Sequence, residues 1–168
     1  RDWGTSHAGA PGRVWGGASV GLNGSEAAAG EHGLPVRHRI GGYATSRVES
    51  HRVMSAPIPT VHKLLEQTGM SMEDIDVLEH NEAFAAASCA IQMSLSASES
   101  RFNPHGGAVA IGHPLGATGT RCLLTLVNAL ERPGGHRGIV TMCLDGGQAL
   151  DMAVAADGRP PRGSAHSS

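Results

Sequence analysis

Apolar positions along the chain fall into two periodicities. A helical spacing places Val61, Leu64, Leu65 and Thr68 on one stripe from Pro59 onward, and Gly69 supplies a C-terminal stop. The same spacing recurs from Glu82 to about Ser96, with Phe84, Ala87, Ile91 and Leu95 on one side. It recurs again from Gly116 to Glu131, where Leu123, Leu124, Val127 and Leu130 are expected inward. Short apolar or alternating runs between these stretches predict strands at Ile75–Glu79, Ala108–Ile111, Gly138–Cys143 and Ala149–Ala155. A further strand fits between Val36 and Val48, with Gly41-Gly42 as a bend or bulge. Ser71-Met72-Glu73-Asp74 has the form of a capping box, Pro133-Gly134-Gly135 ends a helix, and Gly146-Gly147 marks a hairpin-type turn. The alternation predicts a layered α/β unit with a mixed, mostly parallel sheet flanked by helices and one antiparallel edge.

Outside this patterned stretch the chain is different. Residues 1–36 are rich in Gly, Ala and Ser, with Trp3 and Trp15 as the bulky anchors, and are expected to be a degenerate, partly disordered segment. The folded domain is expected over 37–157, followed by a disordered tail over 158–168. A formal net charge of −2 provides no basic surface for nucleic acid or an anionic membrane. Aromatic residues are 3% of the chain, so the core must be aliphatic. Cys89, Cys122 and Cys143 are odd in number, far apart and without a Cys-x-x-Cys pair. That disfavours a disulfide framework or structural zinc and favours a reducing compartment, the cytoplasm. No apolar run reaches transmembrane length.

Three polar residues stand where the expected strands end: Asn81, His113 and Cys143. In a mostly parallel sheet the carboxyl ends of strands share an edge, where such folds build sites. His113 lies between Gly112 and Pro114 in the glycine-rich run Asn103–Gly119, a segment that gives up packing to place one imidazole. Each residue also has a plainer reading. Asn81 serves equally as a helix cap, Cys143 as a small buried hydrophobe, and His113 as a polar residue in a turn. Cys89 and Cys122 read as core, and Glu73, Asp74 and Asp76 as a solvated edge. His105, His113 and Cys143 lack the spacing of a metal site, and no metal is expected.

At these residues the chain resembles the thiolase family, the acyl-CoA acetyltransferases. The matching blocks are Asn81-Glu82-Ala83-Phe84, the run from Gly106 through His113 to Gly119, and Cys143-x-x-Gly146-Gly147. They fit the C-terminal catalytic half from about Arg39 to Asp157. The resemblance implies that His113 is the base that activates a nucleophilic cysteine and forms part of an oxyanion hole. By the same resemblance, Asn81 is expected to hold the water that completes that hole, and Cys143 to be the acid/base at the acetyl α-carbon. It further implies that Phe84 lines the acyl pocket, that Gly146 and the backbone at Leu115 and Gly116 shape the substrate site, and that Ser19 is a coenzyme A contact. The resemblance also implies a coenzyme A thioester as substrate with no further cofactor, the N-terminal thiolase half as partner, and a homo-oligomeric full-length parent.

The sequence departs from the family pattern in three places. The family's nucleophilic cysteine belongs to the N-terminal half, and neither Cys89 nor Cys122 stands in such a setting, so this chain alone is expected to form no acyl-enzyme. Asp145 occupies the position of a glycine whose N–H serves a second oxyanion hole, where a carboxylate repels developing negative charge and a side chain restricts φ. Gly16-Gly17-Ala18-Ser19 is shifted from the family's coenzyme A contact. Thiolysis of a 3-ketoacyl-CoA or Claisen condensation of acetyl-CoA is the expected chemistry of the parent. The alternatives are a non-catalytic thiolase-like protein that binds lipid or acyl-CoA, or a decayed fragment.

Overall fold

The computed structural model of the chain describes residues 16–132 and 135–156. Trp3, Trp15, Pro133-Gly134 and the tail over 158–168 lie outside the described residues. A six-residue helix, α1 (Glu26–Glu31), follows Ser25, whose hydroxyl accepts the Ala28 N–H as an N-cap. The remaining elements are β1 (His38–Arg47), α2 (Pro57–Thr68), β2 (Val77–His80), α3 (Ala85–Ser94), α4 (Ala108–Ile111), α5 (Thr118–Leu130), β3 (Arg137–Leu144) and β4 (Gln148–Ala156).

The four strands form one sheet in the order β1-β4-β3-β2. Only β2 and β3 pair in parallel, while β1–β4 and β3–β4 are antiparallel. The sheet is therefore mixed, as expected, but antiparallel pairs outnumber the parallel one, which corrects the expectation of a mostly parallel sheet. The correction follows from Gly146 and Gly147: both take positive φ, at 72° and 85°, and fold β4 straight back on β3. A Cβ on Gly147 would also overlap the Val48 carbonyl, so glycine is required there. The expected bulge at Gly41-Gly42 is present as a register shift between Ile40 and Gly42.

Each face of the sheet carries a core. On one, Val61, Leu64 and Leu65 of α2 and Ile91 of α3 pack on Leu78, Ile139 and Ala153. On the other, Cys122, Leu126, Ala129 and Leu130 of α5 cover Val77, Val140 and Val154. The buried stripe of α5 is thus rotated from the expected one: Leu123, Leu124 and Val127 are only half-buried. β2 is buried along its whole length, with Val77 in the core under α5 and Leu78 in the core under α2 and α3.

Gly69 closes α2 in the left-handed conformation at φ 65°, as the sequence predicts. The Ser71 N–H donates to the Asp74 carboxylate at 3.0 Å, one arm of the expected capping box. Asp76 is not a solvated edge residue, because its carboxylate accepts the backbone N–H groups of His136 and Arg137 at 2.8 and 2.9 Å. Cys89 is exposed on α3 rather than core, whereas Cys122 is buried.

Ala108–Ile111 is one turn of helix, not a strand. The Ala110 and Ile111 N–H groups both bond to the Gly107 carbonyl, and the Glu82 carboxylate accepts the Val109 N–H at 3.1 Å. A capping side chain from a distant segment, invisible to local periodicity, overrides the β-like composition of this run. The segment that lies beside β2 instead is at Phe102, a parallel bridge to Leu78.

Candidate active site

Two of the three polar residues arrive on strands. Cys143 lies near the end of β3, and Asn81 follows β2, its backbone N–H donating to the Thr141 carbonyl of β3 at 3.1 Å. The parallel register therefore brings them together: Cys143 Sγ lies 3.8 Å from Asn81 Oδ1 and 3.9 Å from Nδ2. Asn81 does not cap a helix, since α3 begins four residues later, at Ala85, with Phe84 in the N-cap position. Burial pushes the Cys143 thiol above its ordinary range, and the Asn81 amide opposes that shift.

His113 arrives differently. It follows α4 and Gly112 rather than a strand, so the three groups do not occupy equivalent strand ends. Its Nδ1 lies 2.7 Å from Thr118 Oγ1, and that hydroxyl donates to the Pro114 carbonyl at 3.0 Å. With the hydroxyl hydrogen committed to Pro114, the Nδ1–H must be the donor to Thr118, and Nε2 keeps its lone pair. Burial, and next the positive charge of Arg121, hold His113 below its ordinary pKa and hence neutral. Among the described residues no hydrogen bond joins His113 to Asn81 or Cys143.

The loop carrying His113 is tied to the Asn81 segment from outside. Glu82, with a left-handed φ of 52°, turns its carboxylate onto the Val109 N–H. A Cβ at Gly107 would sit on Glu82 Oε2 and against Asn103 Nδ2, so a side chain there would displace the carboxylate that holds Val109. Asn103 in turn accepts the His80 N–H at 2.7 Å. His80 is fully buried, and burial pushes its imidazole down to about 3. Its Nδ1 accepts the Glu82 N–H at 3.2 Å and meets Ser88 Oγ at 2.8 Å.

Beneath Asn81, Glu79 is completely buried on β2 and accepts a 2.9 Å hydrogen bond from Arg121 of α5. Burial raises the Glu79 carboxyl to about 7, against the opposing pull of Arg121. On the opposite face Asp151, also fully buried, accepts the Thr141 hydroxyl at 2.6 Å, and burial raises its pKa to about 8. Sequence reasoning missed Glu79, Glu82, Thr118 and Arg121. The available signal was a single acidic residue inside the otherwise apolar Val77-Leu78-Glu79 run, and an arginine beside Cys122 on the inward stripe.

The other expected residues divide. Ser19 Oγ donates to the Ala117 carbonyl at 3.2 Å, and Gly16–Ser19 faces Pro114–Ala117 across an open groove of about 420 Å³. Ser19 is therefore next to the His113 loop despite its distance in sequence. Phe84 is 36% exposed at the start of α3. Gly146 carries no crowding around its α-carbon, and its N–H is taken by the Asp145 carboxylate at 2.7 Å. Asp145 is exposed and does not adopt positive φ, so the conformational objection to it disappears. Burial pushes Cys122 up to about 12, which makes it inert. Among the described residues no group of three or more His, Cys, Asp or Glu is arranged to hold a metal ion. Nor is any helix there long and apolar enough to cross a membrane.

The sequence pattern of the thiolase C-terminal domain matches residues 34–156. The chain is 45% identical over 126 residues to the β-ketoadipyl-CoA thiolase of Pseudomonas knackmussii, covering 74% of this chain and 31% of that protein. It is 44% identical over 116 residues to the rat cytosolic acetyl-CoA acetyltransferase, covering 69% and 29%. Human mitochondrial 3-ketoacyl-CoA thiolase has the same fold at a TM-score of 0.77 and 36% identity, over 80% of this chain and 34% of that one. The chain belongs to the thiolase family, and residues 34–156 are its C-terminal domain. It spans about a third of the length of the relatives it matches.

Proposed function

We propose that this domain supplies the proton-handling half of an acyl-CoA acyltransferase site, for thiolytic cleavage of a 3-ketoacyl-CoA or Claisen condensation of acetyl-CoA. The observation that carries this reading is the Asn81 amide on the Cys143 thiol, with His113 held so that Nε2 is free to take a proton. In this reading His113 Nε2 receives the proton of a nucleophilic thiol and then faces the thioester oxygen. Cys143 removes a proton from the α-carbon of the acetyl group, or returns one in the cleavage direction. Asn81 orients a water or the thiol itself beside that oxygen. Ser19 and the groove against Pro114–Ala117 receive the coenzyme A portion, and Phe84 borders the acyl chain.

A nucleophilic cysteine is required and Cys89 and Cys122 do not supply it: one is on an open helix surface and the other is sealed in the core. The nucleophile would come from an N-terminal thiolase domain. Incubating the 168-residue chain with acetoacetyl-CoA and measuring intact mass should give no acyl adduct. Adding a thiolase N-terminal domain that carries its nucleophile should restore thiolysis, and His113→Ala or Cys143→Ala should lower that rate by roughly 100-fold or more. A stable acyl adduct on the chain alone would overturn the reading.

One observation favours a second reading, binding of acyl-CoA without turnover. The Asp145 carboxylate, two residues after Cys143 in sequence, occupies the Gly146 N–H at 2.7 Å. If thiolysis is absent both in the complemented protein and in its Asp145→Gly variant, the binding role is the correct one.

A further inference from the structure

Two carboxylates flank Asn81 in sequence, and both reach the polypeptide that carries His113. Glu82 holds the Val109 N–H, four residues before His113. Glu79 holds Arg121, one helical turn beyond Thr118, the residue that receives the His113 Nδ1–H. Glu79 is fully buried and the Arg121 side chain is 14% exposed, so this pair spans from β2 to α5 inside the domain. Its other polar atoms, Glu79 Oε2 and Arg121 Nε and Nη2, are buried without partners. An apolar pair of similar size would cost less here than a buried ion pair with unmatched atoms. A pair kept for stability alone is the weaker explanation.

We propose that Glu79 and Arg121 form a positioning pair for His113, locking the helix that holds its Nδ1 to the strand that delivers Asn81. This rests on the reading of His113 as a base but is tested without it. The pair fixes where α5 starts relative to β2, and so fixes the Thr118 hydroxyl that selects the Nδ1–H tautomer. Arg121 also keeps a positive charge near His113, which favours the neutral imidazole that a base requires. Neither residue touches the reacting atoms; both act through Thr118 and Asn81.

The test is imidazole NMR on the whole chain, in wild type and in Arg121→Met, Arg121→Lys and the double variant Glu79→Gln/Arg121→Met. Two signals are followed: the Nδ1–H resonance of His113, and its titration relative to the exposed His51 and His62. Arg121→Met should broaden or abolish the Nδ1–H resonance and move the His113 titration upward. Arg121→Lys should restore the titration in part. Should Arg121→Met fail to fold with Glu79 left unpaired, the double variant, which leaves no buried charge, decides between the outcomes. Wild-type His113 signals in the double variant, with only the unfolding midpoint changed, would overturn the proposal. Loss of acyl transfer in the complemented protein with intact NMR signals would instead sink the functional reading, so the two failures are separable.

Discussion

Asn81 and Cys143 are delivered by a sheet, His113 by a loop, and the two deliveries obey different rules. The strand pair needs only parallel register between β2 and β3, and backbone hydrogen bonds enforce that register at every second residue. The loop has no ladder. Its shape depends on side chains from elsewhere: Glu82 on Val109, Asn103 behind Gly107, Thr118 on the imidazole and Arg121 on Glu79. One half of the site is therefore rigid through its backbone, and the other through a few replaceable side chains. Two reporters separate them: the alkylation rate of Cys143, and the imidazole signal of His113.

The largest expected effect concerns the strand half. Asp151 has its pKa raised from 3.8 to about 8 by burial. A carboxyl raised on folding leaves stability complete below its unfolded pKa, and that stability is lost as pH climbs through the folded value. Asp151→Asn should therefore raise stability at pH 8 by about 5 kcal/mol and flatten the decline between pH 4 and 8, measured by urea unfolding across pH. Both reporters should stay unchanged; a moved His113 signal would show that the halves are coupled through the sheet.

A smaller effect is expected in the loop half. Gly107→Ala forces a methyl into the space of the Glu82 carboxylate and should destabilise the domain by about 2 kcal/mol. It should shift the His113 signal and leave Cys143 alkylation within twofold. Equal changes at both reporters would break the comparison. The smallest is Thr118→Val, which removes the acceptor of the His113 Nδ1–H and the donor to Pro114, at about 1 kcal/mol. Its sharper consequence is a mixed imidazole tautomer, visible as averaged ring nitrogen shifts; a single unchanged tautomer would show that Pro114 and burial suffice.

The same division governs what the sequence made legible. The stripe through Val61, Leu64 and Leu65 with its Gly69 stop, the bulge at Gly41-Gly42 and the glycine turn before β4 are local patterns, and each stands where the periodicity placed it. Asn81, His113 and Cys143 were legible as candidates because glycine and strand-end context set them apart. The one-turn helix at Ala108–Ile111 was not, because its cap is the Glu82 carboxylate, 27 residues away. Strand pairing was misjudged because periodicity reports which residues face a sheet and is blind to neighbour order. Glu79 and Arg121 were hidden for a related reason: their meaning lies in each other, across 42 residues.

The slip of register at Ile40 and Gly42 bears on how copies of this chain behave toward one another. Among the described residues β1 is the last strand on its side of the sheet, ten residues long, with Ile40 and Tyr43 exposed. A straight strand of that length and character is a template on which another chain can polymerise. The kink puts its outward amides and carbonyls out of line, so an incoming strand finds only two short, misaligned rows.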